Sequence, residues 1–432
     1  MSGARGRGRT YCGCVSTHRS ESMKPEHPSA PPATSSVAPP GAFVRDGTTI
    51  LSYAALGCYT FWLYAFGPAV TLLREELGFS YTLLGLYSVF WSLGAALAGA
   101  TFTWAARLLT RGALLWTSAA GATLGAAIFT LTRGVPATLV GTVLFGLAGT
   151  MLLAVIQAVL SDQHGPRRDQ ALTEANIGAG ASAVFAPLVL GALAITALGW
   201  RATFAFPVLV LALLFLRYRK LNYRRRPQRM PGTRSRRLPA ACWMFAVLMA
   251  FSSAIEFCLV YFGPQVLMAT GMSAAAASAA LGANFLGILI GRMAGAVMTR
   301  RVGNTVPLLY GSLLVTAASF VLFWMTDEPL VAIVGLFVCG IGVANLYPLA
   351  LALALDAAPG QEDQANARSQ LVVGLVAAAS PFVLGGLADQ FGLFVAFAIE
   401  PVLIVAGVLL LWGGLRARRR EAQAREEQSG VA

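Results

Sequence analysis

Three ionisable residues of the 432-residue chain sit well inside long apolar runs: Glu256, Glu400 and Arg292. A charge in hydrocarbon costs at least about 2.5 kcal/mol on insertion scales, so each must face a wet space, find a partner or carry a proton. Glu256, near the middle of its run, is the first candidate for a proton-coupling carboxylate. Stripped of water such a group keeps its proton, and it releases the proton when water returns. The plainer role for Glu256 is a neutral carboxyl bonded to Ser252 or Ser253 one turn away. Glu400 directly precedes Pro401, so a local helix bend competes with function there. Arg292 lies about two turns from the end of its run, where it could snorkel, pair with a carboxylate or hold an anion, structural pairing being the plainer role.

Uncharged polar groups supply the rest of a solute-binding surface. Tyr53, Gly57, Thr60 and Tyr64 recur at i, i+4, i+7 and i+11, one stripe of a helix. Gln157, Asn284, Asn345 and Tyr347 are further candidates for contact with a substrate. Trp62 and Trp91 could stack on a ring, but filling the interior is the plainer role. Glycines at Gly141, Gly146 and Gly149, and at Gly287, Gly291 and Gly295, mark faces where helix backbones approach closely.

Several functions are excluded or disfavoured by what is missing. No Gly-x-x-x-x-Gly-Lys-Ser/Thr loop is present for a nucleotide phosphate, and His18, His27 and His164 all fall outside the apolar runs, which leaves no metalloprotease pair within them. The chain does not read as an enzyme, and no cofactor is implied. Cys12, Cys14 and His18 are too few and too poorly spaced for a zinc site, and the other cysteines are scattered singly, so no metal is expected.

The elements that must position these residues are membrane spans. Apolar residues make up 56% of the chain and charged residues only 12%, about half the charged share of a soluble protein. Crossing ~30 Å of hydrocarbon takes about 20 apolar residues in a helix. Twelve such runs are predicted: 49–72, 82–102, 113–131, 137–160, 171–198 and 202–216, then 239–267, 274–298, 307–325, 330–355, 370–387 and 391–415. Pro348 should bend the tenth.

The net charge of +13 could suggest a nucleic-acid partner, but 28 of the 32 Lys and Arg residues fall on one side of this alternating topology and three, Arg74, Arg133 and Arg201, on the other. That is the positive-inside pattern, with both termini in the cytoplasm and the chain in the plasma membrane. Residues 1–48 read as a disordered basic tail and contain no signal-peptide core. Residues 49–216 and 239–415 form two six-helix halves, 217–238 a basic linker, and 416–432 a basic cytoplasmic tail.

The halves are repeats. Slid by 194 to 196 positions, Phe61–Val70 matches Phe257–Val266 at six of ten residues, Gly146 and Asp162 meet Gly340 and Asp356, and Pro187 with Gly191 meets Pro381 with Gly385. Thr60 is the repeat partner of Glu256. Two bundles of one orientation are related by an axis along the membrane normal and leave a central cavity between them.

Gly291-Arg292-x-x-Gly295, the basic loops after the second and eighth runs, and Gly199-Trp200-Arg201-Ala-Thr-Phe204 give the chain a resemblance to the major facilitator superfamily from the first run to the twelfth. Thr103 and Thr299 stand where that family has an acidic residue, and Arg107, Arg300 and Arg301 keep the basic part, so a charge-based latch is not expected. Pro187 and Pro381 sit in loose versions of an antiporter-associated motif.

The resemblance implies an all-α protein with its cavity lined by the first, fourth, seventh and tenth helices. It implies a monomeric secondary transporter of a small molecule, working by alternating access and proton-coupled. Efflux of drugs or metabolites is the alternative to organic-anion or nutrient symport. A non-transporting solute sensor is a distant third reading.

Overall fold

A computed structural model describes residues 43–221, 223, 237–299 and 305–430. Most of the N-terminal tail, with Cys12, Cys14 and His18, most of the linker, and Arg300 and Arg301 lie outside the described residues. Among the described residues the elements are all helical, and twelve stretches are long and apolar enough to cross a membrane.

The first half holds α1 (Gly47–Leu77), α2 (Tyr81–Leu108), α3 (Arg111–Leu131), α4 (Val135–His164), α5 (Arg168–Ala194) and, after a short 3-10 turn at Trp200–Phe204, α6 (Ala205–Tyr218). The second holds α7 (Ala240–Ala269), α8 (Ala274–Met298), α9 (Thr305–Trp324), α10 (Pro329–Val343), α11 (Leu346–Asp356), α12 (Glu362–Phe391), α13 (Leu393–Ala396) and α14 (Ile399–Gly430). Side chains of Asp46, Ser80, Thr110 and Ser273 accept from backbone N–H groups three residues on, which starts α1, α2, α3 and α8 where sequence places a cap.

Two spans depart from the single helices the sequence suggests. The tenth is α10 and α11, broken at Ala344 and Asn345. Pro348 has no N–H to offer the Ala344 carbonyl and its ring crowds that oxygen, so the break falls one turn ahead of the proline. The twelfth begins as α13 and continues as α14 through the basic tail to Gly430, far past the expected end at Leu415. This also puts Glu400 in the first turn of α14.

Lipid gives helices no hydrophobic reason to associate, so packing depends on how closely backbones approach. The two halves solve this alike. A Cβ on Gly146 of α4 would collide with the Trp91 carbonyl of α2, and one on its repeat partner Gly340 of α10 with the Asn284 carbonyl of α8. Gly287 is likewise pressed on the Phe337 carbonyl. In the first half an aromatic cluster fills the interior, with Phe66 centred between Trp91 and Phe129, each 4.8 Å away, and Trp62 edge-on to Phe145. Trp62 also donates to the Phe204 carbonyl at 3.1 Å.

The helix ends define two faces. On one, Arg111 at the start of α3 pairs with Asp162 near the end of α4 at 3.1 Å, and Glu421 of α14 accepts from the Ala240 backbone at the start of α7. This basic face also carries Arg107, Arg167, Arg168, Arg217 and Arg219. On the far face Glu76 receives Trp200 and Arg201 at 2.6–2.8 Å, and Arg201 donates to the Thr130 carbonyl.

Replacing Gly340 with valine should cost about 1–3 kcal/mol of stability through the α8–α10 contact. The same change at Gly374, which has open space around it, should cost little. Thermal unfolding in detergent, followed by thiol-dye labelling of the buried Cys58, Cys242, Cys258 and Cys339, reads the difference.

Candidate functional site

The halves meet from mid-depth to the far face. Gly67 of α1 lies against Val260 of α7, Gly85 of α2 against Pro381 of α12, and Gly191 of α5 against Ala275 and Ala279 of α8. Ser88 of α2 donates to the Ala378 carbonyl of α12 at 3.0 Å. Toward the basic face, Gly99 of α2, Gly178 of α5 and Gly374 of α12 have no neighbouring atom where a Cβ would stand.

At the depth where the contacts end, two of the three sequence-predicted ionisable groups, Glu256 and Arg292, converge. Glu256 is partly exposed in the middle of α7. The hydroxyl of Tyr64, on α1 of the other half, lies near its carboxylate, and Arg292 of α8 is close enough for the two charges to interact. Arg292 is exposed and makes no ion pair within 4 Å among the described residues. The Tyr64 ring meets Phe285 of α8 edge-on at 4.4 Å. One carboxylate, one guanidinium, one phenol and one aromatic wall, drawn from both halves, can together bind a proton and an organic solute.

The other sequence candidates are spread out. Thr60 is buried in α1, and it is Tyr64, one turn on, that meets Glu256. Gln157 is exposed on α4. Tyr53 lies nearer the basic face, donating at 3.2 Å to Glu174 of α5, which also holds Arg45 through two bonds of 2.8 and 2.9 Å. That carboxylate raises the pKa of the exposed Arg45 guanidinium above its ordinary value. Tyr347 of α11 exchanges hydrogen bonds with Gln370 of α12 at 2.7 and 2.9 Å.

Asn284 and Asn345 are packing residues in this structure. Asn284 is buried and donates to the Leu336 carbonyl of α10 at 3.0 Å. Asn345, at the break in the tenth span, donates to the Gly291 carbonyl at 2.9 Å and fills the space a Cβ on Gly295 would take. The Gly-Arg-x-x-Gly pattern therefore seats the broken helix on α8 and presents Arg292 beside it. Glu400 is wholly buried inside the second bundle near Cys258, Ser380 and Cys339, and neither of its carboxyl oxygens has a hydrogen-bond partner among the described residues.

Pro187 and Pro381 are buried inside α5 and α12, the latter at the seam with α2. Thr103 and Arg107 are exposed at the basic end of α2, and Thr299 ends α8 with its hydroxyl on the Gly295 carbonyl at 2.8 Å. Arg300 lies outside the described residues.

Sequence reasoning missed the far-face closure. The Asp389 carboxylate at the end of α12 accepts from the backbone N–H groups of Tyr81 and Thr82 at 2.8 and 2.7 Å, so one half caps the first turn of α2 in the other. Arg74 of α1 stacks 4.0 Å over the Tyr81 ring and reaches Gln265 of α7 at 3.4 Å. Asp389 falls two residues beyond its predicted span and Arg74 two beyond its own, so both looked like loop charges.

Two membrane-spanning bundles that close on one face around a shared polar site define a membrane carrier. The sequence pattern of the Major Facilitator Superfamily matches residues 51–362 and 245–431, and the chain belongs to that family. It is similar in fold to a bacterial homologue of the human lysosomal transporter Spinster, solved inward-facing and unoccupied, with a TM-score of 0.69, 14% identity, and coverage of 87% of this chain and 96% of that one. The nucleoside transporter NupG gives a TM-score of 0.67 at 14% identity over 86% and 98%. The peptide transporter POT in complex with sulfate gives 0.71 at 16% over 88% and 96%. No curated protein matches the chain by sequence. Family and fold point to membrane transporters and not to enzymes.

Asp389→Ala should weaken far-face closure by about 0.5–2 kcal/mol, the usual worth of a helix cap. Spin labels on cysteines introduced at Thr196 and Asp327, one in each half of the far face, should show a larger population at long separation than in the parent.

Proposed function

We propose that the chain is a secondary active transporter that moves a small solute by alternating access with proton coupling. Glu256 is the proton-carrying group, and the solute occupies the cleft between Tyr64, Phe285 and Arg292. The observation that carries this reading is that Tyr64 of one half meets Phe285 of the other at 4.4 Å beside Glu256 and Arg292, at the depth where the halves part. With the cleft open to water, Glu256 and Arg292 together are near neutral. Closing the cleft around a charged pair costs desolvation, which a proton on Glu256 or an anionic group on Arg292 offsets.

An anionic organic solute travelling with a proton satisfies both groups at once. The Tyr64–Phe285 aromatic wall also suits efflux of lipophilic or cationic compounds in exchange for protons, and this is the second reading. Two of the structural relatives are transporters of nucleosides and of peptides. The strongly basic face supports a plasma-membrane protein with both termini in the cytoplasm. A monomer is sufficient, since both halves of the site come from one chain. Residues 49–216 and 239–415 are proposed as the two moving bodies.

The test is reconstitution into liposomes with an internal pH-sensitive dye, screening solute pools for proton flux. One pool should drive flux in the parent and none in Glu256→Gln, while solute exchange without net proton movement survives the mutation. Flux unaltered by Glu256→Gln would assign the carboxylate a structural role. Absence of any transport would support a solute sensor.

A further inference from the structure

Outside the cleft, the membrane-facing surface carries a groove of about 500 Å3 between α3 and α6. On α6 its wall is Val208, Leu211, Ala212 and Phe215, spaced i, i+3, i+4 and i+7. On α3 it runs from Trp116 to Ala127. At ~1.5 Å per residue that wall is about 16 Å long, which matches one leaflet of a ~30 Å hydrocarbon layer. The wall offers hydrocarbon almost nothing polar, because the hydroxyl of Thr123 is already committed to the Ala119 carbonyl at 2.9 Å.

The groove changes character at the basic face. Trp116 stands edge-on to Phe215 at 5.1 Å and closes that end. The Tyr223 ring packs on Gly112 one turn below, with its hydroxyl beside the Trp116 indole, the amphipathic pair found where hydrocarbon gives way to headgroups. The next residue in the α6 series after Phe215 is Arg219, four positions on, followed by Lys220. Both are exposed, and neither has an ion-pair partner among the described residues. One straight path thus leads from two free cations, past an indole and a phenol, into an apolar channel one leaflet deep.

We propose that the α3–α6 groove binds one acyl chain of an anionic phospholipid of the basic-face leaflet, with the lipid phosphate held by Arg219 and Lys220. This requires nothing of the transport reading and stands or falls separately from it. α6 is the last helix before the segment that joins the two halves, so the bound lipid fixes the point from which that segment departs.

Native mass spectrometry of the detergent-purified full chain tests it, with phosphatidylglycerol and phosphatidylcholine of identical acyl chains as probes. The parent should retain one phosphatidylglycerol at least about tenfold more tightly than phosphatidylcholine, as expected for two cations near the surface. The Arg219→Gln/Lys220→Gln double variant should lose that preference, and Ala120→Trp, which fills the exposed groove, should lose the bound lipid with an unchanged melting temperature. Equal retention of the two lipids by the parent, preference that survives the double variant, or binding that survives Ala120→Trp would each overturn the assignment. Because the charge variants lie outside the packed bundle, their result stands even where Ala120→Trp perturbs folding.

Discussion

Hydrocarbon cannot hydrogen-bond, and nearly every feature of this molecule follows from that. Each peptide group in hydrocarbon must be satisfied within its own helix, so every element of the described chain is a helix. Charges are driven to the two faces, where Arg111 finds Asp162, and Arg201 finds Glu76. The few that remain at depth lie where water or protein can receive them: Glu256 and Arg292 at the cleft, and Glu400 enclosed with a thiol inside the second bundle. The solvent that forbids polar groups elsewhere is what makes these residues conspicuous.

The same medium removes the usual reason for helices to pack, and the glycines supply another. Gly146 and Gly340, equivalent in the two repeats, each bring a helix against a neighbouring carbonyl. The repeats nevertheless diverge in what they support. The first bundle is packed around Phe66 and its aromatic neighbours, whereas the second contains the broken tenth span, Asn345 seated on α8, and the Glu400 enclosure. The ionisable groups at depth all belong to the second bundle, while the phenol that meets Glu256 comes from the first.

Periodicity and apolarity made the twelve spans, their order, their duplication and the segregation of basic residues legible in the sequence, because these are properties of residues taken along the chain. The pairing of Glu256 with Tyr64 was only half legible: helical spacing put Tyr64 on the same stripe as Thr60, but the rotation that brings Tyr64 across is set by packing at Gly67 and Val260. Asn284 and Asn345 were ambiguous for a related reason. A polar residue in a span looks the same whether it meets a solute or a backbone carbonyl on the next helix, and only the neighbour decides. Asp389 was invisible because its partners are backbone N–H groups, which carry no residue identity.

The Asp389 cap exists at one seam only. Its repeat-equivalent position is Ile195, and the matching contact between α5 and α8 is made by Gly191, Gly282, Leu188 and two alanines, all apolar. A mouth fastened by charge along one edge and by dispersion along the other does not part evenly. The α2–α12 edge is built as a clasp that protonation, salt or water would loosen, and the α5–α8 edge as a spine they would leave alone. Were the far face to part, it would do so like a book, along the α2–α12 fore-edge.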